Sequence, residues 1–221
     1  MNFSLARTRM IDNQIRPSDI TNRDLLLAFA DVPRERFIPT GAQELAYIDA
    51  DIDAGAEAAG DTRYVMSAAN LARLIQLADV SDGDFVLDIG CGSGYSTAIL
   101  AKLGSSVVAL ESDDALVQRA TSTLIDLSID NAAIVTGPLE EGCAAEGPYD
   151  VIFIGGSVEE LPHELFDQLK EDGRLVVVEG QGSAAVARLY VKEISVVSGQ
   201  TAFNCCVKPL PGFQKTQEFV F

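Results

Sequence analysis

Phe85 to Tyr95 reads Phe-Val-Leu-Asp-Ile-Gly-Cys-Gly-Ser-Gly-Tyr, an apolar run that leads directly into a glycine-rich turn. The run predicts a buried strand, and the residues after the turn, as far as Lys102, predict a helix. A second apolar run, Val107 to Leu110, ends at Glu111. In a doubly wound sheet, an acidic residue at the end of the next strand binds the ribose of a nucleoside cofactor. The two segments together therefore predict half of a nucleoside-binding site.

The spacing of the glycines indicates which nucleoside would bind. Gly90, Gly92 and Gly94 alternate along the turn. A dinucleotide fingerprint instead requires G-x-G-x-x-G, with a small residue where Tyr95 stands. Alternating glycines let a flat ligand without a pyrophosphate approach the turn, and a carboxylate at Glu111 can accept hydrogen bonds from two ribose hydroxyls. This pattern favours S-adenosylmethionine, and the alternative is a glycine turn that binds no ligand.

The segment from Asp88 to Gly94 also resembles the first motif of class I methyltransferases, Asp-x-Gly-x-Gly-x-Gly. That resemblance implies a Rossmann-like, doubly wound α/β fold with the cofactor at the glycine turn. The residues expected to contact S-adenosylmethionine belong to the turn and to the end of the second strand: Asp88, Gly90, Cys91, Gly92, Gly94, Tyr95, Glu111 and Ser112.

Composition excludes several classes of partner. Asp and Glu outnumber Lys and Arg by 33 to 16, which gives a net charge of -17. Nucleic acids and anionic membrane surfaces are bound through Lys and Arg, so we expect neither as a partner. No apolar run reaches the 18 or so residues of a membrane helix, and no signal-peptide pattern begins the chain. We expect a cytoplasmic protein.

Cysteine and histidine usage gives no sign of a metal site. The four cysteines show no C-x-x-C spacing, so we expect reduced thiols and neither zinc nor a disulfide framework. His163 is the only histidine and thus the only imidazole available to a Ser-His-Asp arrangement. It follows Leu161-Pro162, a predicted helix start, and a solvated or capping role is favoured over catalysis.

Strands and helices alternate through the middle of the chain, which predicts a mostly parallel sheet. The predicted strands are 85–89, 107–110, 132–136, 149–154 and 174–179, and the predicted helices are 67–77, 95–102, 114–127 and 161–169. Two further strands, Leu189 to Val197 and Thr201 to Val207, are joined by Ser198-Gly199-Gln200 and predict an antiparallel hairpin.

Before the sheet, residues 1 to about 40 have helical spacing, and Asp49 to Asp61 has the composition of an exposed loop. We therefore divide the chain into an N-terminal helical extension with a substrate loop (1–66), a cofactor-binding domain (67–210) and a C-terminal tail (211–221). The tail ends in Phe219-Val220-Phe221, for which a packed terminal strand or clasp is favoured over a recognition motif.

A narrower resemblance follows from the order of several segments. Val32-Pro33-Arg34-Glu35-Arg36-Phe37, Ala46-Tyr47, Ser67-Ala68, the glycine motif and Val207-Lys208-Pro209-Leu210 stand in the order found in protein-L-isoaspartate O-methyltransferases. The resemblance covers almost the whole chain. It implies transfer of a methyl group from S-adenosylmethionine to the carboxylate of isoaspartyl residues in damaged proteins, with Ser67 as the catalytic-loop serine. The spacing alone equally allows Ser67 to be the N-cap of the helix that it begins.

The chain departs from that family's pattern on both the acceptor side and the cofactor side. The family's L-P-I-G-x-G-Q-T-I-S loop is replaced by Asp53 to Met66, its adenine-binding G-D-G by Gly137-Pro138-Leu139, and the arginine before its final V-P-L is absent. The acidic loop would repel an isoaspartyl carboxylate unless local donors offset it. Three hypotheses therefore remain: isoaspartyl methyl transfer to a protein or peptide, transfer to an unidentified small acceptor, and a catalytically inactive protein that binds S-adenosylmethionine.

Overall fold

The computed structural model describes residues 1–55 and 62–215, and its centre is a seven-stranded sheet. Two short strands, β1 and β2, pair with each other outside that sheet. The strands in chain order are β1 Ile52–Asp53, β2 Tyr64–Val65, β3 Phe85–Ile89, β4 Ser106–Glu111, β5 Ala132–Thr136, β6 Tyr149–Val158, β7 Leu169–Glu179, β8 Val186–Glu193 and β9 Val196–Asn204.

The order of strands across the large sheet is β5-β4-β3-β6-β7-β8-β9. The pairs from β5 to β7 are parallel, whereas β7–β8 and β8–β9 are antiparallel. The predicted doubly wound sheet with an antiparallel end is thus confirmed. Because the chain winds outward from β3 through β4 to β5 and then returns to β6, the strand order reverses between β3 and β6. Ligands of open α/β sheets bind beyond the carboxyl ends of the strands at such a point.

Six α-helices are present in the described residues: α1 Phe3–Met10, α2 Arg23–Asp31, α3 Ala68–Ala78, α4 Tyr95–Ala101, α5 Asp114–Asp126 and α6 Glu164–Asp167. The first two form the predicted N-terminal helical extension. Short 3₁₀ turns Arg34–Phe37 and Thr40–Leu45 continue it. Buried apolar residues of α1 to α5 belong to one cluster on one face of the sheet, while α6 and the segment around Leu210 cover the other.

Arg34 joins the N-terminal extension to the segment before α3. Its side chain is fully buried. Nε donates to the Ala46 carbonyl at 2.7 Å, Nη2 donates to the Met66 carbonyl at 2.8 Å, and the guanidinium carbon lies 4.7 Å from the centre of the Tyr95 ring. Nη1 has no hydrogen-bond partner among the described residues, so the two carbonyls and the Tyr95 ring are the contacts that hold this buried cation. Arg34 therefore fixes the position of Met66, the last residue before Ser67.

The hairpin prediction was wrong about the turn. The reversal occurs at Ile194 and Ser195, whose φ angles are 51° and 60°, and both strands start earlier than predicted. Two successive positive φ angles are typical of a type I′ turn, whose twist matches that of the flanking strands. Gly199, expected in the turn, instead pairs with Tyr190 across the hairpin. A Cβ on Gly199 would collide with the Tyr190 ring, so the glycine makes room for a cross-strand aromatic side chain.

Two other segments differ from the prediction in extent. The helix expected at 161–169 is only the single turn α6, because Leu169 already pairs with Tyr149 as the first residue of β7. The predicted exposed loop at 49–61 contains β1, in which Ile52 is buried. Residues 56–61 of that loop, and Phe219-Val220-Phe221 of the tail, lie outside the described residues.

We predict that Arg34→Met lowers the free energy of unfolding by about 3 kcal/mol, because it leaves two buried carbonyls without donors. The matched control is Arg36→Met, two residues away. Arg36 pairs with Asp126 at 2.8 Å with both side chains about half exposed, so its loss should cost less than about 1 kcal/mol. Urea denaturation of both variants tests this, and equal losses would contradict the bridging role of Arg34.

Candidate functional site

The glycine turn connects β3 to α4 at the carboxyl edge of the sheet. Gly90, Gly92 and Gly94 have φ angles of 78°, 55° and 90°, a region in which residues with a Cβ are strained. The Gly90 amide donates to the Leu110 carbonyl at 2.8 Å, which ties the turn to the end of β4. The predicted strand, turn and helix are all present, and Glu111 lies beside the turn as expected.

The carboxylate of Glu111 is fully buried and accepts hydrogen bonds on both oxygens. Oε2 accepts from the Gly92 amide at 2.7 Å, and Oε1 accepts from the amides of Ser112 and Asp113 at 2.8 Å and 3.2 Å. The Ser112 hydroxyl also lies 3.3 Å from Oε1. A fourth N–H group, Nη2 of Arg63, donates to Oε2 at 2.8 Å. Since a carboxylate offers about four lone-pair sites, these donors use its whole capacity.

Asp88 lies under the turn, where it is fully buried. One oxygen, Oδ2, accepts hydrogen bonds from the hydroxyls of Ser96 and Thr97 at 2.8 Å and 2.7 Å. The other, Oδ1, has no partner among the described residues. Burial raises the pKa of Asp88 to about 6, although the two hydroxyl donors act in the opposite direction. Asp88 therefore holds the first turn of α4 against the end of β3.

The remaining predicted cofactor residues lie around the same turn. Cys91 is buried, and burial raises the pKa of its thiol. The ring of Tyr95 is buried against Phe29 and Phe37, with centroid distances of 6.2 Å and 5.5 Å, so it connects the turn to the N-terminal extension. All eight predicted cofactor residues are thus brought together at one edge of the sheet.

Ser67 stands at the N-cap position of α3, and its hydroxyl makes no capping hydrogen bond. Its backbone amide donates to Oδ1 of Asp51 at 2.8 Å. The four preceding residues, Arg63 to Met66, which we call the strap, all line small cavities between the glycine turn and the C-terminal segment. Ser67 therefore follows directly after a segment that contacts the predicted cofactor site.

The space over the glycine turn is filled by the protein itself. A Cβ built on Gly90 would lie 2.8 Å from Cδ2 of Leu210 and 3.1 Å from Nη2 of Arg63. The cavities beside the turn measure only about 10 and 20 Å³, whereas ligand pockets usually measure about 300–1,000 Å³. The Glu111 carboxylate, as a hydrogen-bond acceptor, and the glycine turn suit a nucleoside. The cavities beside the turn are large enough for one only if the side chains of Arg63 and Leu210 move.

Sequence reasoning missed Arg63 and Leu210. Leu210 reaches the glycine turn because the chain just before it lies beside the end of β6, where Ser157 and Pro209 form an isolated parallel β-bridge. A signal for Arg63 was present, since it is the only cation between Arg36 and Arg73 in a stretch with several acidic residues. A lone cation in an acidic segment indicates a specific partner. The identity of that partner, Glu111, required the fold.

The family model and the similar sequences all carry the same family description. Residues 6–212 match the family described as Protein-L-isoaspartate(D-aspartate) O-methyltransferase. The protein-L-isoaspartate O-methyltransferase of Koribacter versatilis is 33% identical over 214 residues, which are 96% of this chain and 93% of that protein. That of Trichlorobacter lovleyi is 33% identical over 218 residues, 98% of each chain.

Solved structures show the same fold. A protein-L-isoaspartate O-methyltransferase superimposes with a TM-score of 0.81 at 24% identity, covering 94% of this chain and 67% of that one. A putative protein-L-isoaspartate O-methyltransferase from Plasmodium falciparum, in complex with S-adenosyl-L-homocysteine, superimposes with a TM-score of 0.74 at 24% identity, covering 96% and 99%. Separately, none of the helices within residues 1–55 and 62–215 is long and apolar enough to cross a membrane.

The raised pKa of Asp88 makes the free energy of unfolding depend on pH. Its pKa is about 6 in the folded protein against a usual 3.8, so the folded state binds this proton more tightly than the unfolded chain. The group therefore contributes stability that is present below about pH 4 and is lost as the pH rises through 6. Asp88→Asn stays neutral, so its free energy of unfolding relative to wild type should rise by about 2 kcal/mol from pH 4 to pH 7.

Urea denaturation of wild type and Asp88→Asn at several pH values measures this difference. Asp126→Asn, which removes a carboxylate from an exposed ion pair worth less than about 1 kcal/mol, serves as the control. A difference between Asp88→Asn and wild type that stays constant from pH 4 to pH 7 would contradict the raised pKa.

Proposed function

Because the chain belongs to the protein-L-isoaspartate O-methyltransferase family, we propose that it transfers a methyl group from S-adenosylmethionine to isoaspartyl carboxylates in damaged proteins or peptides. The observation that carries this proposal is Glu111 at the carboxyl end of β4, bonded to the alternating-glycine turn. A carboxylate at this position binds the ribose in nucleoside-binding α/β sheets, which supports the proposal. A cytoplasmic location is part of the proposal and is supported by four free cysteines in the described chain.

The chain's own contribution to the chemistry is alignment. S-adenosylmethionine, when bound, supplies an activated methyl group on a sulfonium. The acceptor carboxylate is already ionised near neutral pH, so no residue has to remove a proton from it. We assign Glu111 to the ribose hydroxyls, the turn Gly90 to Gly94 to close backbone approach, and Ser67 to the acceptor carboxylate. Fixed positions of such groups lower the barrier by holding reactants in line.

Two features support Ser67 in this role. Its hydroxyl makes no hydrogen bond to the first turn of α3, so it is available to another acceptor oxygen. Its position is fixed from both sides, because Asp51 binds its amide and Arg34 binds the carbonyl of Met66 directly before it. A hydroxyl held by its backbone in this way can donate to a carboxylate without first being ordered.

The acceptor carboxylate also needs a cation, and we assign this role to Lys208. Its Nζ lies 5.0 Å from the centre of the Tyr64 ring, in the strap. Lys208 lines both the small cavity that contains Asp51 and an open groove of about 320 Å³ beside Pro209 and Gln214. A groove at the surface suits a peptide chain, and Lys208 offsets the repulsion expected from the acidic segment.

A different methyl acceptor is the second candidate, and one observation favours it. Tyr64, Val65 and Met66 of the strap stand where the family has Gln, Thr and Ile, and Arg63 fills the space over Gly90 with its side chain. A site whose walls are changed at this position is shaped for a different occupant. The two candidates are separated by the acceptor that is methylated.

The first experiment measures transfer of labelled methyl from S-adenosylmethionine to matched peptides that contain isoaspartate or aspartate. We predict methyl ester on the isoaspartyl peptide only. Ser67→Ala should lower kcat/KM at least about tenfold, or roughly 1.4 kcal/mol of transition-state stabilisation. Ser105→Ala is the control, because its hydroxyl donates to the Asp84 carbonyl at the opposite edge of the sheet and its loss should leave kcat/KM unchanged.

The outcomes separate the three hypotheses. Methyl transfer to a small molecule but not to the isoaspartyl peptide would favour the second candidate. Binding of S-adenosylmethionine without transfer to any carboxylate would indicate a catalytically inactive binding protein. Equal activity of wild type and Ser67→Ala on the isoaspartyl peptide would support the proposed reaction and contradict a role for Ser67 in it.

Lys208→Gln tests the acceptor cation. We predict that it raises KM for the isoaspartyl peptide about fivefold and leaves the KM for S-adenosylmethionine unchanged, since only the anionic acceptor loses a partner. Lys170→Gln, in an ion pair with Asp150 away from the groove, is the matched control. Added salt should narrow the difference between wild type and Lys208→Gln, and a difference that is independent of salt would contradict an electrostatic role.

A further inference from the structure

Arg63 and Glu111 form a buried ion pair in the space where the proposed function requires the cofactor ribose. Nη2 of Arg63 lies 2.8 Å from Oε2 of Glu111, with the two side chains 4% and 0% exposed. A ribose hydroxyl would bind this same carboxylate as a hydrogen-bond donor, and with the three amides in place it would need the lone-pair site that Arg63 uses. The guanidinium and the ribose therefore need the same acceptor.

The donors on Glu111 differ in how easily they can leave. The amides of Gly92, Ser112 and Asp113 belong to the backbone of the turn and of the segment that follows β4. They cannot leave without unfolding these segments. Arg63 reaches the carboxylate from a segment 48 residues away in the chain, through a side chain with several rotatable bonds. Of the four N–H donors, only Arg63 can be replaced by a ligand.

The pair also leaves one polar group unsatisfied. Nη1 of Arg63 is buried and has no hydrogen-bond partner among the described residues. A buried guanidinium stabilises a protein only when its geometry and its remaining hydrogen bonds compensate for lost hydration. Glu111, in contrast, keeps three backbone donors when Arg63 leaves, so its charge stays stabilised. The structure is therefore built so that the guanidinium can be removed while the carboxylate remains in place.

We propose that Arg63 is an internal competitor of the cofactor ribose for Glu111, and that S-adenosylmethionine binds only after the guanidinium has left this carboxylate. The inference rests on the proposed function, because it assumes that Glu111 is the ribose acceptor. The apparent Kd of a ligand is its intrinsic Kd divided by the fraction of molecules able to bind. Removal of the competitor therefore strengthens binding.

The test is calorimetric titration with S-adenosylhomocysteine, which measures binding without turnover. We expect Arg63→Ala and Arg63→Met to bind at least about tenfold more tightly than wild type, which corresponds to a binding-competent fraction of about a tenth or less in wild type. Arg63→Met keeps most of the apolar stem and supplies a folded comparison if Arg63→Ala is unstable. Arg174→Met, which breaks a partly buried pair with Asp84 at the opposite edge of the sheet, should bind like wild type.

A second measurement uses the unmodified protein. The Ala54 amide donates to the Arg63 carbonyl at 2.8 Å, beside the β1–β2 pair. Because the adjoining cavities are too small for a nucleoside, the strap must shift when the ligand enters. Saturating S-adenosylhomocysteine should therefore increase hydrogen exchange at the Ala54 amide and decrease it at Gly92. Protection of both amides, or no change at Ala54, would contradict a shift of the strap backbone, and the calorimetric comparison would then decide whether the Arg63 side chain alone is displaced.

The results also separate this inference from the proposed function. Unchanged or weaker binding by a folded Arg63→Met protein overturns the inference, while methyl transfer by wild type would leave the proposed function standing. Binding by the Arg63 variants but not by wild type would support the inference and contradict the proposed function, since the native chain would then hold its own cofactor site closed. Absence of binding in wild type and in both Arg63 variants overturns both.

Discussion

The buried carboxylate of Glu111 is the hydrogen-bond acceptor that holds two loops together at the carboxyl edge of the sheet. Three backbone amides bind it, one from the glycine turn and two from the chain after β4, so a single side chain determines the path of two loops. Such an arrangement keeps a negative charge in the interior without a permanent counter-ion, because oriented amides replace the lost hydration. The buried Asp88 adds a second carboxyl under the same turn.

Much of the fold follows from the sequence because the relevant signals are local. Buried strands such as Phe85–Ile89 are continuous apolar runs, and the turn after them requires positive φ at alternate positions, which glycine supplies. Helix α5 was predicted within one residue of its observed end. These features depend on neighbours in the chain, so a single sequence is enough to recognise them.

The errors have a different origin. Gly199 looked like a turn residue because glycine usually marks turns, but here it accommodates the ring of Tyr190 on the neighbouring strand. The pairing of Arg63 with Glu111 joins residues from two unrelated segments, and the approach of Leu210 to Gly90 spans an even longer separation. Which long-range pair forms depends on the packed structure. Sequence reasoning therefore identified the residues of the glycine turn and left out the side chains that cover it.

The buried contacts of Arg34 limit how the chain can be shortened or extended. Since one guanidinium binds the carbonyls of Ala46 and Met66, it ties the N-terminal extension to the segment directly before α3. A fragment that began at Ser67 would lack residues 11–15 and Arg23–Asp31, which pack against α3 in the whole chain. A chain shortened to begin at Ser67 should therefore aggregate, whereas insertions at the exposed Gly41, which leave Arg34 in place, should be tolerated.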